Sequence, residues 1–441
     1  MNSRMIQKLE QIQKYLLLSL LIILPYHYLV ICVLLQNIGI LKIWKELIIF
    51  VIFIIALYKE FLRKKIFKFN RTDKLIIVFL IILILNILFG RSKIIEGISA
   101  ARVYFFPLML FYSICRCSLN KNEIYFGLKC ISVNAALISI YAVLQAQILG
   151  DEFLIKLGYP LNEIYDYPRL TNSLYLSGLG RFQRATGTFV SPNTFGLYLV
   201  IVFTLLFYLY KEFNMNYKKV FVLLSCIFLG IIFSFSRSSW LTLICGIIPY
   251  FIFKITWTKK FICNLIKTII VISIIVFILD GIILNFTLFN TISHLIISTL
   301  TFSDTSINGH INSLVDSFKV LDGKWIKGLG LGLNGPRGLN FTSYATLTES
   351  SYFLIIFEVG LIGFISYYSI YISILFDYVK KYIKDCKISF LLGITIVLEI
   401  LISYLFLPNV QEFEILVYFF SLTACFYLNF YKKEELDDCY L

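Results

Sequence analysis

The chain reads as an all-α, polytopic membrane protein, a single integral domain over 1-441 with about twelve transmembrane helices. Three observations carry that expectation. Of the 441 residues, 59% are hydrophobic and only 15% charged, with a mean hydropathy of +0.84. Water-soluble domains do not have this balance. Apolar runs of about 20 residues recur along the chain, each long enough as a helix to cross a hydrocarbon core of roughly 30 Å. Between the runs, the cations gather in alternate loops, as the positive-inside bias demands.

In chain order, the first run, near 15-35, follows Arg4, Lys8 and Lys14. No small-residue cleavage site follows it, so it is expected to be a first membrane helix and not a removed signal peptide. Runs near 40-58, 75-89, 98-115 and 124-149 lead to a first long polar loop, 150-191. Runs near 192-210, 219-236, 238-256 and 264-283 lead to a second, 284-349, after which 350-376, 388-407 and 415-430 close the set. With a cytoplasmic amino terminus, the basic stretches 1-14, 59-74, 116-129, 211-219, 254-267, 380-387 and 432-433 all lie inside. They hold 26 of the 40 Lys and Arg. An even number of spans returns the carboxyl terminus to the cytoplasm.

The net charge of +14 therefore fits membrane topology better than nucleic acid. The kind of cation also differs between the two sides. Among the inner cations only Arg4, Arg63, Arg71 and Arg116 are arginine. On the outer side Arg91, Arg102, Arg169, Arg181, Arg184, Arg237 and Arg337 make up half of the cations. A guanidinium fork suits bidentate contact with phosphate or carboxylate, so the outer face is expected to hold an anion. The competing account is arginines snorkelling to the interface. The ten cysteines lie in apolar runs or beside basic inner loops, so no disulfide framework is expected, and Cys115 with Cys117 lacks a second metal-ligand pair.

Both outer loops exceed connector length, which marks them as functional. In the second, Ile307, Ile311, Leu314, Val315, Phe318 and Leu321 recur at helical spacing, the stripe of an amphipathic helix lying on the membrane or the bundle. The glycine-rich KWIKGLGLGLNGPRG follows, and TESSYFLIIFEVGLIGF re-enters the membrane.

Several stretches in order, LKIWKELI, EGISAARVYFFPL, GRFQRATGTFVSPNTFGLYL, SFSRSSWL and GHINSLVDSFKVLDGKWIKGLGLGLNG leading to TESSYFLIIFEVGLIGF, carry a resemblance over most of the chain. Together they resemble the O-antigen ligase and O-antigen/capsular polysaccharide polymerase (Wzy-type) superfamily. The resemblance implies a GT-C-like lipid-to-acceptor glycosyltransferase fold in the bacterial plasma membrane, its active site facing outside. It also implies a substrate, an oligosaccharide carried on undecaprenyl pyrophosphate, with a flippase and a chain-length regulator as natural neighbours. Two departures from the pattern matter. Ligases of the superfamily carry a histidine followed by Asn or Ser just before the span after the large loop, where this chain has Glu349. Where the family has an arginine at the start of the loop's amphipathic helix, this chain has His310. Both favour a polymerase over a ligase. A transporter or flippase is the alternative of a different class, but the two halves do not resemble each other.

Glycosyl transfer from a lipid pyrophosphate needs positive charge on the departing pyrophosphate and a base for the attacking hydroxyl. The linkage is already activated, so no nucleotide, cofactor or metal is expected. Arg184 is the first candidate for the pyrophosphate, because the turn after it lets its side chain and a helix amino terminus, with Ser191 as cap and Pro192 in the first turn, face one anion. Arg237 lies between two apolar runs, where a charge usually has a partner or a task. Arg102 is a third candidate, unless it pairs with Glu96 or another neighbour. Glu349 is the candidate base, unless it only caps its helix; His310 is the alternative. Arg181, Arg169 and Trp325 are candidate sugar contacts.

Overall fold

The computed structural model describes residues 2-35, 39-63, 69-159, 161, 170-176, 183-254, 281, 287-301, 312, 315-316, 318-319, 321, 323-335 and 348-437. Among them every extended element is a helix, relieved only by the isolated bridges Leu161 with Leu170 and Tyr175 with Gln183. Six helices are long and apolar enough to cross a membrane: Arg71–Phe89, Ile94–Cys115, Lys121–Leu157, Pro192–Leu209, Ser351–Asp385 and Ile388–Phe406. Among the described residues the architecture is all-helical, as suits a membrane protein.

Helix α1 (Asn2–Ile23) gives way to a 3-10 turn at Leu24–Tyr26, where Pro25 withholds a backbone donor, and then to a π turn at Tyr28–Leu34. Helix α2 is Trp44–Leu62. A capping box of Asn70 with Asp73 starts α3 (Arg71–Phe89), and another of Asn120 with Glu123 starts α5 (Lys121–Leu144). Between them lies α4 (Ile94–Cys115). A π turn at Gln145–Leu149 joins α5 to the short α6 (Gly150–Leu157). Ser191 accepts from the Thr194 amide and Pro192 occupies the first position of α7 (Pro192–Leu209), as the sequence leads one to expect. Then come α8 (Tyr217–Phe233), α9 (Arg237–Lys254), α10 (Thr287–Leu300), α11 (Ser351–Asp385), α12 (Ile388–Phe406) and α13 (Phe413–Asp437). The expected run near 264-283 falls almost wholly outside the described residues, as does most of the 307-321 stripe. Of that stripe Val315, Phe318 and Leu321 are helical, and Leu321 is buried.

Helix α7 is the centre of the bundle, packing on α5, α8, α9, α12 and α13. Its apolar stretch is 89% buried, against 28% for α3. The outer helices expose Ile81, Ile84, Leu85 and Leu88 of α3 and Ile362, Ile365 and Ile372 of α11, a surface suited to hydrocarbon and not to water. Three short connections, 90-93, 234-236 and 407-412, meet the starts of α7 and α11 at one end of the bundle. Arg91 donates its amide to Leu329 O, Ala185 to Phe233 O and Ser351 to Leu407 O. The residues of interest collect at this end.

Candidate functional site

The turn before α7 is tightly fixed. Gly187, at φ 58°, donates its amide to Gln145 Oε1 at 2.9 Å and accepts from the Tyr159 hydroxyl at 3.1 Å. Thr188 Oγ1 donates to Pro25 O at 2.6 Å. On this rigid turn Arg184 reaches across to three segments. Its Nε donates to Ser234 O at 3.0 Å, its Nη1 to Ser173 O at 3.3 Å and its Nη2 to Asn193 Oδ1 at 2.8 Å. All three acceptors are neutral. The connection between α8 and α9 brings Arg237 into the same field, with Phe235 forced to φ 47° and Ser236 Oγ accepting from the Ser239 amide as α9 begins. Burial first, and the Arg237 charge second, lower the Arg184 pKa to about 10. The corner therefore concentrates positive charge: two guanidinium groups and the amino-terminal turns of α7 and α9.

Arg102 lies in a second, neighbouring corner, joined to the first through the Thr188–Pro25 bond. Its Nη1 is 3.8 Å from Glu46 Oε1, and the side chain is 41% exposed. Glu96 is not its partner, because that carboxylate accepts the Lys93 amide at 3.0 Å and closes the start of α4. Lys45 pairs with Glu414 at 2.5 Å and lies over the Phe413 ring, and Trp44 Nε1 donates to His27 Nδ1 at 2.9 Å. Among the described residues this corner holds three cations, Lys42, Lys45 and Arg102, against the carboxylates of Glu46 and Glu414.

Beside the Arg184 turn a cleft of about 480 Å³ is lined by Gln147, Gly150, Asp151, Glu152 and Gln183. Asp151 Oδ2 accepts from the Tyr175 hydroxyl at 2.8 Å. These polar groups suit a hydroxyl-rich ligand.

The sequence reading missed the residue that organises the rest of this end. Helix α11 bends at Gly360, whose φ is 70°, and the bend frees the carbonyls before it. The glycine-rich segment fills that gap: Leu329 N donates to Phe357 O at 2.6 Å and Gly330 N to Glu358 O at 3.1 Å. A Cβ on Gly360 would lie 2.1 Å from Ile326 O, so only glycine fits there. The fully buried Glu358 carboxylate then accepts from the Tyr104 hydroxyl at 2.5 Å, Gly332 N at 3.0 Å and Gln411 Nε2 at 3.0 Å. One acid thus ties α4, α11, the glycine segment and the turn before α13 together. An acid inside an apolar run, as in FEVG, was the available signal.

Glu349 is half-buried just before α11. Around it, Thr348 accepts from Asn334 Nδ2 at 2.7 Å and Ser351 Oγ donates to Leu407 O at 2.6 Å. Trp325 packs against Phe318 with ring centroids 5.3 Å apart, in a cluster with Leu321 and Phe357, so most of its face is spent on packing. His310, Arg169 and Arg181 lie outside the described residues. The structure thus brings Arg184 and Arg237 together and sets Arg102 in the adjoining corner. Among the described residues no group of three or more His, Cys, Asp or Glu stands in a metal-holding arrangement. No protein-family model matches the chain, and no curated protein matches it.

Proposed function

We propose that the chain is a polysaccharide polymerase of the Wzy-type superfamily, with twelve spans, cytoplasmic termini and a GT-C-like fold, acting at the outer face of a bacterial plasma membrane. It moves a glycan from undecaprenyl pyrophosphate onto a second lipid-linked repeat unit. The observation that carries this reading is the Arg184–Arg237 corner, where two guanidinium groups converge beside two helix amino termini and Arg184 meets only neutral acceptors.

An acceptor hydroxyl attacks the anomeric carbon of the donor, the bond from that carbon to the pyrophosphate oxygen breaks, and the hydroxyl proton passes to a base. Glu349 is assigned as that base, with His310 as the alternative. Arg184 and Arg237 neutralise the charge that grows on the leaving pyrophosphate, the term with the greatest leverage on rate. Arg102 guides the lipid phosphate toward them. The polar cleft beside the turn holds sugar, and Arg181, Arg169 and Trp325 stay candidate sugar contacts from the sequence alone. Purified protein incubated with undecaprenyl-pyrophosphate-linked repeat units is expected to yield a ladder of products. A single shifted acceptor band would mark a ligase, and unchanged substrate overturns the transferase reading.

One observation favours a transporter instead. Glu399, fully buried within α12, accepts from Thr204 Oγ1 at 2.5 Å, while its Oε2 has no hydrogen-bond partner among the described residues. Acids at such depth often mark ion paths. Substrate flux across sealed proteoliposomes without a product ladder would establish that reading.

A further inference from the structure

The opposite end of the bundle holds a cavity that the transferase reading leaves unused. It measures about 400 Å³ and lies between α1, α5, α7 and α13. Its walls are apolar, with Leu18, Leu21, Ile131, Leu205 and Phe426 among them, while its polar groups, Gln11, Lys14, Asn122 and Glu123, sit near one end. From Gln11 to Leu21 the helical rise is about 15 Å, half of a hydrocarbon core of roughly 30 Å, and so one leaflet deep.

The gap persists because α1 and α5 are pinned at two levels and nowhere between. At the polar end Lys14 Nζ meets Glu123 Oε1 at 2.9 Å. At the far end Asn134 Nδ2 donates to Ile22 O at 2.9 Å and Asn134 accepts from the Tyr26 hydroxyl. Between these pins Gly127 stands opposite Leu18, and a Cβ there would lie 3.7 Å from Leu18 Cδ1. Tyr15, 73% exposed, and Phe126, 55% exposed, flank the opening.

Arg4 and Lys8 precede Gln11, Tyr15 and Leu18 at i, i+4, i+7, i+11 and i+14, which sets all five on one face of α1. Both cations are exposed, and among the described residues neither has a carboxylate within ion-pair distance, whereas Lys14 is neutralised by Glu123. We infer that this cavity is a binding site for an anionic glycerophospholipid, one acyl chain seated between α1 and α5 and the headgroup phosphate drawn to Arg4 and Lys8. The inference is independent of the transferase reading.

The test uses the full-length protein in phosphatidylcholine nanodiscs doped with spin-labelled phosphatidylglycerol or spin-labelled phosphatidylcholine. Wild type is expected to immobilise the anionic probe with roughly 30-fold preference, the order expected for two cations near a membrane surface. Gly127→Phe fills the cavity and is expected to abolish immobilisation. Leu18→Trp does the same from the facing helix, in case the first variant fails to fold. Arg4→Gln with Lys8→Gln is expected to retain immobilisation and lose the preference. Equal immobilisation of both probes by wild type, an unchanged signal in folded Gly127→Phe and Leu18→Trp, or native mass spectra showing a polyprenyl lipid in the site would overturn the inference.

Discussion

Arg184, part-buried, and Glu358, fully buried, are charges at the same end of the bundle, and they are treated in opposite ways. Glu358 is satisfied by a hydroxyl, a backbone amide and a side-chain amide from three different segments. Arg184 is given neutral carbonyl and amide acceptors and a second cation as neighbour. A buried charge whose partners are complete holds a frame together, because removing it strands every group that pointed at it. A charge in the field of a like charge, with no anion among its hydrogen-bond acceptors, gains most when an anion arrives. The first belongs to the scaffold and the second to the chemistry.

The contrast breaks most visibly through turnover. Arg184→Lys keeps the charge and loses the fork, and is expected to lower polymerisation by about 100-fold to 1,000-fold while the protein still elutes as a folded species, the loss typical of one preorganised charge-stabilising donor. A fall of less than about threefold would move Arg184 to the scaffold side. Glu358→Leu is expected to act on stability instead, by roughly 3 kcal/mol, because it takes the acceptor from the Tyr104 hydroxyl and Gly332 N and frees the glycine segment. Thermal unfolding in detergent measures it, and an unchanged midpoint would mean that this network carries no weight.

Gly246→Ala sharpens the scaffold side further. A Cβ at that position would lie 1.8 Å from Glu399 Oε1, so the substitution is expected to cost about 2 kcal/mol. In a Glu399→Ala background the cost should shrink to less than about 0.5 kcal/mol, since the clash is then gone. The smallest expected effect is Ser191→Ala, about 1 kcal/mol for a lost helix cap. It serves as a control on the turn that carries Arg184, because the other bonds at Gly187 and Thr188 remain.

The sequence made some of this legible. The Ser191-Pro192 start of α7 and six of the about twelve expected apolar spans follow from local signals, and the structure has these where those signals stand. The run near 15-35, expected as one membrane helix, instead stops being α-helical at Ile23, where Pro25 withholds a donor. The Glu358 network was not legible, because its partners lie 254, 26 and 53 residues away along the chain and no local pattern joins them. The partner of Arg102 was hidden for a related reason: Glu96 is close in sequence but is used on its own helix start, while Glu46 arrives from α2. The meeting of Arg184 with Arg237 depends on the packing of α7 against α8 and α9, which apolar periodicity alone does not specify.

The most direct measurement is equilibrium binding of a short polyprenyl diphosphate to the purified protein, with the uncharged polyprenol as reference. The account predicts that wild type prefers the diphosphate and that Arg184→Gln and Arg237→Gln each weaken it at least tenfold. Equal affinity for diphosphate and polyprenol, or variants that bind as tightly as wild type, would contradict it.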